Sequence, residues 1–152
     1  MITILYATMT GNAQTCAEDI ATILTQHDLP SKVRDLADYP AAELANEDTV
    51  LLAVSTWGEG DPPDDAIPFA DDLAEVEAGS LPNLRYAVFA LGDTAYDEFC
   101  GFGFKCDQHL ERSGATRLLD CENCDLDQDE RLPAWAKRLI PLLAGQPVEA
   151  AA

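Results

Sequence analysis

Positive charge is what this sequence has least of: 9 Lys and Arg stand against 28 Asp and Glu in 152 residues, a formal net charge of -19. A chain so charged repels phosphodiester backbones and anionic lipid. That excludes sequence-independent nucleic-acid binding and membrane-surface adsorption, and leaves basic proteins as the natural partners. A solvated surface or adaptation to high salt accounts for the charge equally well. Also missing is any apolar run near the ~20 residues of a membrane span, and no signal-like start precedes the first apolar stretch, so a cytoplasmic location is expected. A complete disulfide framework is excluded by arithmetic, because the cysteines number 5; an odd count points to reduced thiols in a reducing compartment. Cys121 and Cys124 form a lone CxxC. No second CxxC accompanies it, and His27 and His109 lack a ligand spacing, so no metal site is expected and the pair is read as ordinary thiols in a loop after a strand. Cys16 and Cys106 are read as small apolar side chains. Two nucleotide-binding signatures are absent as well: no GxGxxG follows the first apolar run, and GxxxxGK[ST] occurs nowhere.

What is present is enough for one folded unit, since 47% of the residues are hydrophobic. Short aliphatic and β-branched runs at 2–7, 32–36, 49–55, 85–91 and 116–119 predict five strands. Helical spacing occupies 13–26, weakly 41–45, then 66–76, 102–112 and 132–143. Strands apolar on both faces and separated by helices imply a parallel sheet wound by right-handed crossovers, a doubly wound α/β domain. Residues 1–145 are expected to form this domain and 146–152 a disordered tail. With a start directly before the first strand and an end soon after Leu143, a free-standing protein is expected, with a fragment of a larger protein as the alternative. In such a sheet a ligand lies outside the carboxyl ends of the strands, where the strand order reverses. The loops to inspect are therefore 8–13, 56–65 and 92–101.

The first loop reads TMTGNA, with neither lysine nor arginine. A strand that runs through this turn straight into a helix aims backbone amides and the hydroxyls of Thr8 and Thr10 at one point. The partial positive charge of the helix terminus makes that point a phosphate nest built from neutral donors. Gly11 admits backbone conformations closed to other residues, and Asn12 tolerates them and can cap the helix. A well-capped helix without a ligand explains this loop alone equally well. The second loop, STWGEGDPPDDA at 55–66, places Trp57 directly after a buried strand and follows it with Gly58, Glu59 and Gly60. The third, LGDTAYDEFCG at 91–101, places Tyr96 at the mouth of the fourth strand. Either aromatic could be a partly buried anchor; together, at one sheet edge, they could enclose a planar heterocycle.

These three loops resemble those of the short-chain flavodoxins and of the FMN domains of diflavin reductases of the sulfite reductase type. FKCDQHLERSGA at 104–115 resembles the same family, and the likeness spans nearly the whole chain. It implies a flavodoxin-like, five-stranded parallel sheet in the order 2-1-3-4-5 with helices on both faces, and FMN as cofactor. Thr8, Met9, Thr10, Gly11, Asn12 and Ala13 would surround the phosphate. Ala13 departs from the threonine that many flavodoxins place there, as reductase-type domains often do. Ser55, Thr56, Trp57, Gly58, Glu59 and Gly60 would form the first ring loop, and Leu91, Gly92, Asp93, Tyr96, Phe99 and Cys100 the second. Trp57 and Tyr96 would stack on the two ring faces, and the backbone of Gly92, Asp93, Phe99 and Cys100 would meet the pyrimidine edge. In this family the peptide between Gly58 and Glu59 would turn so that a carbonyl accepts the proton on flavin N5 in the semiquinone, a change that glycine permits.

The resemblance implies an electron carrier rather than an enzyme: a protein that shuttles single electrons through the flavin semiquinone and hydroquinone between a basic NAD(P)H-dependent flavodoxin reductase and acceptor enzymes, as a monomer. A carboxylate ~10 Å from the ring, screened as in water, disfavours an added negative charge by roughly 0.4 kcal/mol. Glu59, Asp61, Asp64, Asp65, Asp93, Asp97 and Glu98 lie in the two ring loops and together would lower the second potential by ~100 mV. An NAD(P)H-dependent FMN quinone reductase is the alternative, but such an enzyme needs room over a ring that Trp57 and Tyr96 would cover. A phosphate-switched receiver domain would need acidic residues after the first strand and a lysine after the fifth, where this chain has Thr8 and Asp120. Substituting Trp57→Ala or Tyr96→Ala should weaken FMN binding by roughly 1 kcal/mol or more, read by fluorescence titration of flavin-free protein; undiminished affinity in both variants contradicts the stacking assignment.

Overall fold

Apolar runs of this length bury both faces only when covered by helices on each side, and that requirement shapes the molecule. The computed structural model describes residues 2–7, 11–55, 66–92, 101–119, 122–125 and 128–143. Strands β1 (Ile2–Ala7), β2 (Ser31–Asp35), β3 (Thr49–Ser55), β4 (Arg85–Gly92), β5 (Thr116–Arg117) and β6 (Glu122–Asp125) alternate with helices α1 (Asn12–Gln26), α2 (Ile67–Ala74), α3 (Gly101–Arg112) and α4 (Gln128–Leu143). The described pairs are parallel and run β2-β1-β3-β4-β5, with β6 also on β4. The weak helical signal at 41–45 forms a 3-10 helix, Ala41–Asn46.

The fifth sheet position is shared by two segments. β5 pairs with Arg85 and Tyr86 at the start of β4, and β6 pairs with Phe89 to Gly92 at its end. The expected strand over 116–119 therefore stops at Arg117, after which the Leu118 amide still donates to the Tyr86 carbonyl at 2.8 Å. Cys124, expected in a loop, lies within β6. The sequence ENCD conceals this strand because three of its four residues are types depleted from strands. Cys121, residue 120 and the stretch 144–152, including the expected tail, lie outside the described residues.

Successive side chains of a strand point to opposite faces, so each central strand feeds two cores. Ile2, Ile4, Leu51, Ala53, Ala87, Phe89 and Leu91 pack beneath α1 and α4, against Ile20, Leu24, Trp135 and Leu139. Leu5, Ala7, Val50, Leu52, Val54, Tyr86, Val88 and Ala90 pack on the other face, against Phe69 and Leu73 of α2 and Cys106 and Leu110 of α3. Each large side chain so buried contributes about 1.5–3 kcal/mol. Cys16 and Cys106 are buried in these layers, as their reading as small apolar residues requires. Helix α1 presents Ala13, Cys16, Ala17, Ile20 and Leu24 along one stripe. It stops where Asp28 adopts a left-handed φ of 60°, with Leu29 N–H donating to the Leu24 carbonyl and Asp28 N–H to the Thr25 carbonyl.

Polar ties hold the layers in register. Asp107, nearly buried on α3, accepts two hydrogen bonds from Arg117, Nε to Oδ1 at 2.9 Å and Nη2 to Oδ2 at 2.7 Å. This paired geometry fixes α3 against β5. The Tyr86 hydroxyl donates to the Asp107 carbonyl at 3.1 Å. Arg112 donates to the Ala74 and Val76 carbonyls at 3.0 and 2.9 Å, closing the end of α2. Near the N-terminal ends of β1 and β3, Glu47 accepts from Thr3 at 2.9 Å and from the Tyr39 hydroxyl at 2.7 Å.

Burial first, then the hydrogen bond and charge of Glu47, hold the Tyr39 phenol far above its ordinary value. Burial and the charge of Asp107 raise Tyr86 in the same way. A phenol that ionises later in the folded than in the unfolded chain contributes stability below its unfolded pKa of about 10, and that contribution is lost as pH climbs further. Urea unfolding midpoints should therefore decline steeply above about pH 10, and the double variant Tyr39→Phe, Tyr86→Phe should decline less steeply. Identical slopes in the two proteins contradict the assignment.

Candidate functional site

Parallel register decides which loops can meet. Ala7, the last residue of β1, pairs with Val54 of β3, and Val54 pairs in turn with Ala90 of β4; one step on, Ser55 pairs with Leu91. The three loops named from the sequence thus leave one edge of the sheet from adjacent strands, spaced about 4.8 Å apart. The chain passes from β1 outward to β2 and then back to β3 on the other side, so the reversal of strand order falls between β1 and β3. A doubly wound sheet opens its crevice at that point.

Gly11 and the start of α1 lie at this crevice. Gly11 is the residue before the helix, with φ 90° and ψ -7°, a conformation that other residues adopt only with strain. A Cβ built there would meet nothing within 4 Å, so the requirement for glycine is conformational rather than steric. Thr15 grips the Gly11 carbonyl twice, through its amide at 3.0 Å and its hydroxyl at 3.1 Å. With that carbonyl turned into the helix, the start of α1, where the helix dipole is positive, lies at this edge of the sheet. No acidic side chain stands in the first turn to neutralise it. Ala13 is buried, and the small side chain lets the first turn lie close on the sheet. Near the end of β1, burial and then the charge of Asp35 raise the Tyr6 phenol. Amides and hydroxyls without a cation suit a phosphate group, whose oxygens accept hydrogen bonds from neutral donors. The start of α1, positive by its dipole and without an acidic residue in its first turn, therefore fits the phosphate end of a flavin mononucleotide.

Asn12, Ser55 and Gly92 are placed by their backbone: Asn12 opens α1, Ser55 closes β3, and Gly92 closes β4 beside Asp125 of β6. Leu91 is buried beneath α1 and α4. Thr8, Met9, Thr10, Thr56, Trp57, Gly58, Glu59, Gly60, Asp93, Tyr96, Phe99 and Cys100 lie outside the described residues. The structure brings their flanking residues together, and the stacking and ring contacts assigned to them remain expectations. Among the described residues no group of His, Cys, Asp and Glu is arranged to hold a metal ion. No described helix is long and apolar enough to cross a membrane.

Four contributing residues went unread in the sequence. Thr15 was legible as a threonine four residues after Gly11, the spacing of a back-bond to a helix carbonyl. Asp107 and Arg117 carry no local signal, because their pairing depends on how α3 docks. Gly103 lies on the buried stripe of α3 with Cys106, Asp107 and Leu110, and helical spacing alone could have marked it as an inward-facing glycine.

The Flavodoxin family model matches residues 4–135 of the chain. Over 139 residues the chain is 39% identical to the sulfite reductase [NADPH] flavoprotein alpha-component of Bacillus subtilis, covering 91% of this chain and 23% of that protein. The corresponding Vibrio cholerae protein is 36% identical over 151 residues, covering 99% of this chain and 25% of that one. The chain thus spans about a quarter of the length of these relatives. Among solved structures, a flavodoxin from Streptococcus pneumoniae TIGR4 matches with a TM-score of 0.79 and 31% identity, covering 91% of this chain and 97% of the other. A short-chain flavodoxin associated with a PDU bacterial microcompartment also gives 0.79, at 27% identity over 94% and 99% of the two chains. The five-position parallel sheet and its strand order agree with these matches, and the chain belongs to the flavodoxin family, whose cofactor is FMN.

Proposed function

We propose that this flavodoxin-type electron-transfer chain carries single electrons from a basic NAD(P)H-dependent reductase to basic acceptor enzymes, and catalyses no substrate reaction of its own. The observation that carries the reading is the convergence of three loop roots on β1, β3 and β4 beside the positive end of α1. When bound, FMN supplies one-electron chemistry that no amino-acid side chain here provides. The chain's residues would do the rest. Amides at the start of α1, with the hydroxyls of Thr8 and Thr10, would hold the phosphate. Trp57 and Tyr96 would cover the ring faces and exclude water and a second ligand. The Gly58 to Glu59 peptide would present a carbonyl to the proton at flavin N5. Residues 1–145 would make up this unit.

The net charge of -19 supports docking of basic partners, because opposite charge raises encounter rates and orients brief complexes. The same charge favours a monomer in solution, and buried Cys16 and Cys106 with the odd cysteine count suit a cytoplasmic setting. A second reading has its own support. The 36–39% identity to sulfite reductase [NADPH] flavoproteins favours an acceptor of the kind those proteins serve, with this chain in the place of one part of their length.

The test is to purify the protein with FMN, reduce it chemically under nitrogen, and mix it with a basic haem protein in a stopped-flow instrument. A yellow preparation that is reoxidised rapidly, at a rate that falls as ionic strength rises, supports the proposal. A colourless protein that takes up no FMN, or a rate indifferent to salt, contradicts it.

A further inference from the structure

A glycine inside a helix costs about 1 kcal/mol relative to alanine, so an inward-facing one calls for a reason. Gly103 stands in the first turn of α3, buried against the sheet. A Cβ built on it would collide with the Ala90 Cβ, and would lie 3.5 Å from Val54 Cγ2. Ala90 lies two residues before the end of β4 at Gly92, and Gly103 two residues after the start of α3 at Gly101. Between those ends run residues 93–100, the second ring loop. The contact of Gly103 with Ala90 therefore closes the base of that loop. Val54 is the register partner of both Ala7 and Ala90, so the same contact sits one residue below the edge from which the other two loops depart. Farther along α3, the Arg117 pair to Asp107 and the Tyr86 hydroxyl on the Asp107 carbonyl clamp the helix to the sheet. With the middle of α3 clamped, a clash at Gly103 must displace either the first turn of α3 or Ala90 near the end of β4, the two ends of that loop.

We propose that Gly103 is a positioning residue for the flavin site: the absence of its side chain lets α3 seat on Ala90 and sets the spacing of the second ring loop. The inference rests on the FMN reading above. It makes a prediction of opposite sign to helix propensity, under which Gly103→Ala would stabilise the protein and leave the site alone.

The experiment compares wild type, Gly103→Ala, Ala90→Gly and the double variant Gly103→Ala, Ala90→Gly. Three quantities are measured: dissociation constants for FMN and for riboflavin, the midpoint potentials of the bound flavin, and amide hydrogen exchange over 93–100 in flavin-free protein. Gly103→Ala should weaken FMN and riboflavin alike, by about tenfold or more, as expected for contacts displaced by the order of 1 Å. It should also shift the potentials and accelerate exchange over 93–100. The double variant, which removes the opposing methyl group, should restore all three. If Gly103→Ala folds and leaves affinity, potential and exchange unchanged, the proposal is overturned. If it does not fold, recovery of fold and flavin binding by the double variant supports the proposal, and failure to recover overturns it. Wild type that binds neither flavin would contradict the FMN reading, whereas the exchange comparison still reports on Gly103 and separates the two failures.

Discussion

The candidate site depends on the seat of α1, because a helix N-terminus can hold a phosphate only if it is aimed, uncapped by carboxylate and close to the ligand. Each condition is met by a different feature of the chain. Aim comes from the parallel strand before it, which delivers the turn to the sheet edge at the switch between β1 and β3. Gly11 enters the helix with a left-handed φ, and Thr15 holds the Gly11 carbonyl inward with two hydrogen bonds. Closeness follows from Ala13, Cys16 and Ala17, small residues that let the first turns of the helix lie down on β1 and β3. In a protein of net charge -19, a neutral cradle has a further consequence. A lysine there would be drawn toward surrounding carboxylates, whereas backbone dipoles cannot be diverted.

The two cores divide the work of building that edge. The face under α1 and α4 carries the buried aromatics Phe89 and Trp135, with ring centroids 5.1 Å apart, beneath the helix whose start would hold the phosphate. The opposite face carries α2 and α3, the helices that follow the two ring loops. There the packing is finer: small residues Ala90 and Gly103 touch at the loop base, and the polar ties from Asp107, Arg117 and Arg112 fix helix positions. Ile67 and Phe104, both exposed, stand in the first turns of these two helices, at the same end of the sheet as the loops. One face would thus anchor a charge and the other would space a ring.

Most of the sheet was legible because its strands are apolar on both faces, and β1, β3 and β4 agree with the predicted runs to within a residue. The loops of interest followed from topology alone, since a doubly wound sheet leaves few places for a ligand. What escaped reading was non-local. Strand β6 is built from Glu, Asn, Cys and Asp, and it forms because β4 offers an open edge beyond β5, which no local propensity records. Asp107 and Arg117 stand ten residues apart, and they meet only once α3 has packed. The weak helical signal at 41–45 became a 3-10 helix, a form that spacing over so short a stretch does not distinguish from an α-helix.

Affinity of flavin-free protein for FMN against riboflavin, titrated side by side by flavin fluorescence, tests the central claim most directly, since the two ligands differ only in the phosphate. Charged hydrogen bonds contribute about 1.5–3 kcal/mol each, so FMN should bind at least about tenfold more tightly. The gap should narrow in Thr10→Val while riboflavin binding holds. Equal affinity for the two ligands in the unaltered protein would contradict a phosphate cradle at the start of α1.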